Sequence, residues 1–156
     1  MGAWGIKALE SDDGLDMIGI LTDEYLLKHS ELNLDEILDL MKREGMLGEG
    51  LSDIDFLYDN TAMALAELYF QWKDDGRLNY DTDKNIWCKV TDFTVSKKAL
   101  DFLLRQLTDI KNEVPDADGT RESVELWKDE DSGEIDLEWS KHLDRLIERL
   151  ALEQEI

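Results

Sequence analysis

The chain has one cysteine, one proline, few cations and no long apolar run, and each scarcity removes a class of protein. With Cys88 alone, no intramolecular disulfide can form, and a reducing compartment is the natural setting. The single proline, Pro115, leaves long stretches free to be helical. No apolar run approaches the roughly 20 residues of a membrane-spanning helix. Lys plus Arg number only 17 against 38 Asp plus Glu, a formal net charge of -21. Neutralising phosphate requires cations, so this balance argues against direct binding to nucleic acid and to anionic membranes. The same charge favours rapid encounter with a basic protein.

What is present is globular. A chain of 156 residues with 42% hydrophobic content and five tryptophans is long and apolar enough to bury a core without metal or disulfide staples. Helix grammar recurs along it. Ser11 reads as an N-cap followed by Asp12 and Asp13, with Leu15, Ile18, Leu21, Tyr25 and Leu26 at helical spacing. A second helix starts near Asn33 with Leu34, Ile37, Leu38 and Met41 as its stripe, and Gly45 stops it. Ser52 is a candidate cap for a third helix that runs to Trp72, with a break at Asn60-Thr61 as an alternative, and it ends at Gly76. Its stretch from Ala62 to Phe70 is apolar nearly all round and belongs at the centre of the core. Ser96 caps a helix whose stripe is Ala99, Leu100, Leu103, Leu104, Leu107 and Ile110. A short helix over 120–127 and a last one from about Asp136 complete the series. Residues 77–94 read as a short hairpin or an irregular loop. The expected fold is therefore all-α, with at most one short hairpin around 77–94, in a compact multi-helix single domain over 1–156.

Few groupings suggest chemistry. Asp12, Asp13 and Asp16, with Glu10, are a weak candidate for a hard cation, although first-turn acids are what a helix N-terminus favours in any case. Asp81, Asp83, Asn85 and Asp92 fall on positions 1, 3, 5 and 12 of a calcium-loop pattern, but Ile86 stands where the sharp-turn glycine belongs. His29 and His142 are the only histidines and read as isolated surface residues; Cys88 reads as a buried structural thiol. No phosphate loop, nucleophile elbow or paired Cys motif is present, so neither a catalytic residue nor a cofactor is expected. Trp4, between Gly2 and Gly5, reads as a ring that pins the terminus to the core.

The opening Met1-Gly-Ala-Trp-Gly, then Glu10-Ser-Asp-Asp and Asp16, resembles the bacterial domain of unknown function 4259 family. Ser123-Val-Glu-Leu-Trp127, Trp139 and the Leu146–Leu150 tail are similar to its second signature. In the opening, Ile6-Lys7 replaces the Thr-Gly of many members, and Ser11 replaces the usual Asn. The resemblance makes Gly2, Trp4, Gly5, Ser11, Asp12 and Asp13 a structural motif. It implies a small helical cytoplasmic protein and supplies no catalytic residue.

Function is left to charge. From Asp116 to Asp136, nine acids face only Arg121 and Lys128. Capping does not need so many, so Glu122, Glu125, Asp129, Glu130, Asp131, Glu134 and Asp136 are candidates for contact with a basic protein partner. The leading expectation is a non-catalytic, immunity- or antitoxin-like binding module. The alternatives are a housekeeping helical domain of generic acidity and a divalent-metal binder or metal-dependent enzyme. The opening residues carry no basic segment followed by an apolar one, so a cytoplasmic location is expected.

Overall fold

The structure is a computed structural model of the chain, and it describes residues 7–49, 53–78, 80 and 86–154. It is 63% helical, and among the described residues there are six α-helices and one sheet of two short strands. The all-α reading holds. The motif residues Gly2, Trp4 and Gly5, and Ser52, lie outside the described residues.

The chain enters through a 3₁₀ turn, Ala8–Glu10, and then α1, Asp12–Ile20. Ser11 caps α1 as the sequence implies: its Oγ accepts from Gly14 N at 3.1 Å and donates to Ala8 O at 2.5 Å. Gly14 is required by contact, since a Cβ there would sit 2.2 Å from Ala8 O. The buried face of α1 is Gly14, Met17 and Ile18, whereas Leu15, which the periodicity placed on the core stripe, is 49% exposed. A π-helical turn over Leu21–Tyr25 follows, marked by Leu26 N donating to Leu21 O five residues back. Leu21, Tyr25 and Leu26, on and just after this turn, are buried.

Asn33 caps α2, Leu34–Arg43, through Glu36 N. Asp55 caps α3, Phe56–Asp75, and Gly76 closes it in the left-handed region at φ 69°. The helix is continuous through Asn60-Thr61, and every residue from Thr61 to Phe70 is buried. Ser96 caps α4, Lys97–Lys111, through Ala99 N and also donates to Asp35 Oδ1 on α2. The helix expected over 120–127 is a single turn, α5, Glu122–Glu125. Asp136 accepts from Trp139 N to start α6, Leu137–Gln154.

Around α3 pack α1, α4, α5 and α6, and α4 lies along α6. One continuous apolar core runs from Ala8 through the helices to Leu150. The small sheet joins β1, Leu32–Asn33, to β2, Phe93–Thr94, in parallel. Among the described residues, the 77–94 segment thus contributes one strand, whose partner comes from the loop before α2. Parallel pairing suits a crossover connection, here supplied by α2 and α3. Ahead of β2, Trp87–Lys89 form a 3₁₀ turn that buries Trp87, whose Nε1 donates to Thr22 Oγ at 2.7 Å. Cys88, next to it, is exposed, contrary to the buried thiol read from sequence.

Helix propensity alone makes Gly to Ala stabilising by ~1 kcal/mol. At Gly14 the close approach of the Ala8 carbonyl reverses the sign, and Gly14→Ala is expected to destabilise the fold by about 1–3 kcal/mol in urea unfolding. A gain in stability would refute this packing of residues 8–10.

Candidate binding surfaces and the buried charge network

α3 carries more buried residues than any other described helix, and two of them are carboxylates, Asp59 and Glu67. Unpaired charge in such surroundings is costly, so each is surrounded by donors. Asp59 Oδ1 accepts from Arg121 Nη2 at 2.6 Å and Gln106 Nε2 at 2.9 Å; Oδ2 accepts from Arg121 Nε at 2.9 Å and Ser123 Oγ at 2.6 Å. The side chains of Asp59 and Arg121 are each only 1% exposed. Arg121 also donates through Nη1 to Val114 O, so one guanidinium fastens the 114–123 segment to α3.

The acidic candidates occupy the surface just beyond this anchor. Glu122, Glu125, Asp129, Glu130, Asp131, Glu134 and Asp136 are all exposed. Of the segment's two bases, Arg121 is consumed inside, and Lys128 binds Glu113 at 2.7 Å and offsets one acid of the set, Glu125, at 3.2 Å. These two carboxylates hold the Lys128 ammonium above its ordinary pKa. Two of the seven acids have local duties. Asp129 accepts from Ser132 N and Asp131 N, which lowers its pKa, and Asp136 caps α6. An isolated antiparallel bridge, Lys128 to Ile135, closes this turn, and Asp136 N donates to Trp127 O. Leu126 and Leu137 flank the bridge and are 38% and 65% exposed, while Trp127 stacks on Trp139 with centroids 5.8 Å apart. Two exposed leucines therefore lie among these acids along the chain.

The cation candidates do not converge. Asp12 and Asp16 are exposed, and Asp13 accepts from Asn60 Nδ2 at 3.0 Å. Asp92 is exposed and accepts from Phe93 N; Asp81, Asp83 and Asn85 lie outside the described residues. Among the described residues, no group of three His, Cys, Asp or Glu side chains is placed to hold a metal ion.

Sequence reasoning missed one arrangement. His142 on α6 is not an isolated surface residue, since its Nε2 lies 2.7 Å from Glu67 Oε2 on α3. Glu67 Oε2 also accepts from Ala8 N at 2.7 Å, and Oε1 from Leu9 N at 2.8 Å. The contact is satisfied when Nε2 carries the proton and donates, which leaves Nδ1 uncommitted. His142 lines a cleft of about 560 Å³ between α3 and α6, together with Phe70, Tyr80, Arg145, Leu146 and Arg149. Arg149 donates to both oxygens of Asp74 and lies 4.1 Å from the centroid of the Phe70 ring. The guanidinium lowers the Asp74 pKa. Glu67 was visible as a lone acid inside the apolar Ala62–Phe70 run, which is the signature of a buried partner, although nothing local named His142.

A family model described as Domain of unknown function (DUF4259) matches residues 2–142. The chain belongs to that family. The match takes in α1 to α5 and the start of α6, up to His142. No curated protein and no solved structure matches the chain. For this family member, no helix among the described residues is long and apolar enough to cross a membrane.

Two expectations follow from the buried groups. Asp59→Ala strands Arg121 in the core and is expected to cost about 3–5 kcal/mol in urea unfolding, whereas the Asp59→Leu/Arg121→Met pair costs less than either single change. Equal losses for single and double variants would contradict the pairing. Burial pushes the hydroxyls of Tyr69, beside Glu153, and Tyr80, beside Glu67, up to about 12 from an ordinary 10.0. A raised folded pKa means that the stabilising contribution is complete below pH 10 and is lost as pH rises through about 12. Ultraviolet titration is expected to show both rings ionising only in that window, together with unfolding; ionisation near 10 in the folded protein would contradict their burial.

Proposed function

We propose that the chain is a non-catalytic acidic binding module, immunity- or antitoxin-like, which captures a basic protein in the cytoplasm through the 122–137 face. The observation that supports this most is the scarcity of cations on that face. Seven exposed carboxylates lie there, while Arg121 is buried against Asp59 and Lys128 is tied to Glu113 and Glu125. Unscreened like charges raise the local potential and steer a cationic partner, speeding association rather than supplying most of the affinity. The exposed Leu126 and Leu137, among these acids along the chain, supply apolar contact. The buried clamp at Asp59 holds the face rigid, so little ordering entropy is lost on binding.

The test separates the face from the fold. Glu122, Glu125, Glu130, Asp131 and Glu134 are changed to their amides, and Asp129 and Asp136 are kept because they cap local structure. Affinity capture from the protein's own cell lysate at low salt is expected to retain a basic partner on the natural chain. The amide variant is expected to lose it, as is the natural chain in high salt. Capture of the same proteins by both chains, or of no basic protein by either, would refute the proposal.

A further inference from the structure

A second cleft lies where the chain leaving the π turn, residues 26–30, faces the 86–90 segment. Its volume is about 360 Å³, within the ~300–1,000 Å³ of small-molecule sites. Leu26 and Val90 are buried in its wall, Ile86 is half-buried, and Leu27 stands 57% exposed. Hydrogen bonds tie the two stretches together at either end: Trp87 Nε1 donates to Thr22 Oγ at 2.7 Å, and Thr91 N donates to Ser30 O at 3.0 Å. His29 is held as well, its ring stacked on Tyr25 with centroids 4.3 Å apart. The walls are therefore in place before a ligand arrives, and little ordering opposes binding.

The charge of the lining is what distinguishes this cleft. Lys28 and Lys89, one from each stretch, are exposed, and among the described residues neither has an ion-pair partner. No described carboxylate lines it. The α3–α6 cleft, by contrast, carries Glu10, Glu67, Asp74 and Asp75, and the cleft between the π turn and α2 carries Glu24, Glu36 and Glu44. In a chain with 38 acids and 17 bases, two cations without an acid run against the composition. The nearest described acids in sequence, Glu24, Glu31 and Asp92, stay outside the lining; Glu24 lines the cleft against α2, and Asp92 accepts from Phe93 N. Salt screens the more distant charges, with a Debye length of ~8 Å at physiological ionic strength, so the adjacent lysines dominate. Lysine supplies a point charge without the planar fork that favours phosphate, and the aliphatic wall suits hydrocarbon. We propose that this cleft binds a medium-chain fatty carboxylate, its chain against Leu26, Leu27, Ile86 and Val90 and its ionised head paired with Lys28 and Lys89. Binding is non-covalent, and no proton is exchanged.

The full chain, isotope-labelled, is titrated with octanoate near neutral pH, following the backbone amides by NMR. Saturable shifts at residues 26–30 and 86–90, with the 122–137 face unmoved, are the expected result. Replacing both exposed lysines, Lys28→Gln with Lys89→Gln, is expected to weaken octanoate by about tenfold, the loss of two exposed ion pairs, with the fold unchanged by circular dichroism. Leu27→Asn, also at an exposed position, is expected to weaken it by about threefold. Octanol has the chain without the charge, and acetate and inorganic phosphate have charge without the chain; each is expected to bind more weakly by about tenfold. Octyltrimethylammonium, with the opposite charge, is expected to leave these amides unmoved. The proposal is overturned by no saturable shift up to on the order of 10 mM octanoate, or by shifts spread over the core helices instead. It is equally overturned by unchanged affinity in the double lysine variant, or by octanol, phosphate or octyltrimethylammonium matching octanoate.

Discussion

A buried carboxylate has to be matched by donors at fixed positions, and Asp59, in the first turn of α3, imposes that requirement on half of the molecule. Its two oxygens take four hydrogen bonds, from Gln106 on α4, from Arg121 twice and from Ser123 at α5. Three segments far apart in sequence are brought to one point, where hydrophobic contact alone would have left their relative positions loosely specified. Glu67, two turns further along α3, repeats the device for the other side, gathering Ala8, Leu9 and His142. The apolar length of α3 supplies the driving force, and its two acids supply the registration.

This division of labour sorts the chain's large negative charge into three kinds. Asp13, Asp55, Asp129 and Asp136 satisfy backbone or side-chain donors at helix starts and turns. Asp59 and Glu67 are interior fasteners. The surplus over 122–134 has neither duty, and the internal use of Arg121 is what leaves it unbalanced. The same interaction that orders the segment therefore also sharpens its potential.

What the sequence made legible follows the reach of the interactions. Ser11, Asn33, Ser96 and Asp136 were readable as caps because each bond closes over three residues, within the span that local pattern records. The all-round burial of Ala62–Phe70 was readable for the same reason. Partners 62 and 75 residues apart, Asp59 with Arg121 and Glu67 with His142, leave no local trace beyond a charged residue in an apolar run. Leu15 was misplaced because the buried stripe of α1 runs through Gly14, Met17, Ile18 and Leu21, a regular helical spacing that leaves Leu15 to one side. Asp55, rather than Ser52, begins the described α3 through its bond to Leu57 N. The α3–α6 cleft was invisible in sequence, since its walls come from α3, α6 and the first turn.

The two-residue parallel ladder between Leu32-Asn33 and Phe93-Thr94 has a kinetic consequence. Ser30 and Thr91, which extend it by a hydrogen bond, stand 61 residues apart, so the ladder closes a loop that contains all of α2 and α3. Two rungs return too little enthalpy to offset the closure entropy of so long a loop in an open chain. The ladder therefore forms after α3 has collapsed onto its neighbours, as a latch on an assembled core rather than as a nucleus. Weakening it would speed unfolding and leave the folding rate almost unchanged.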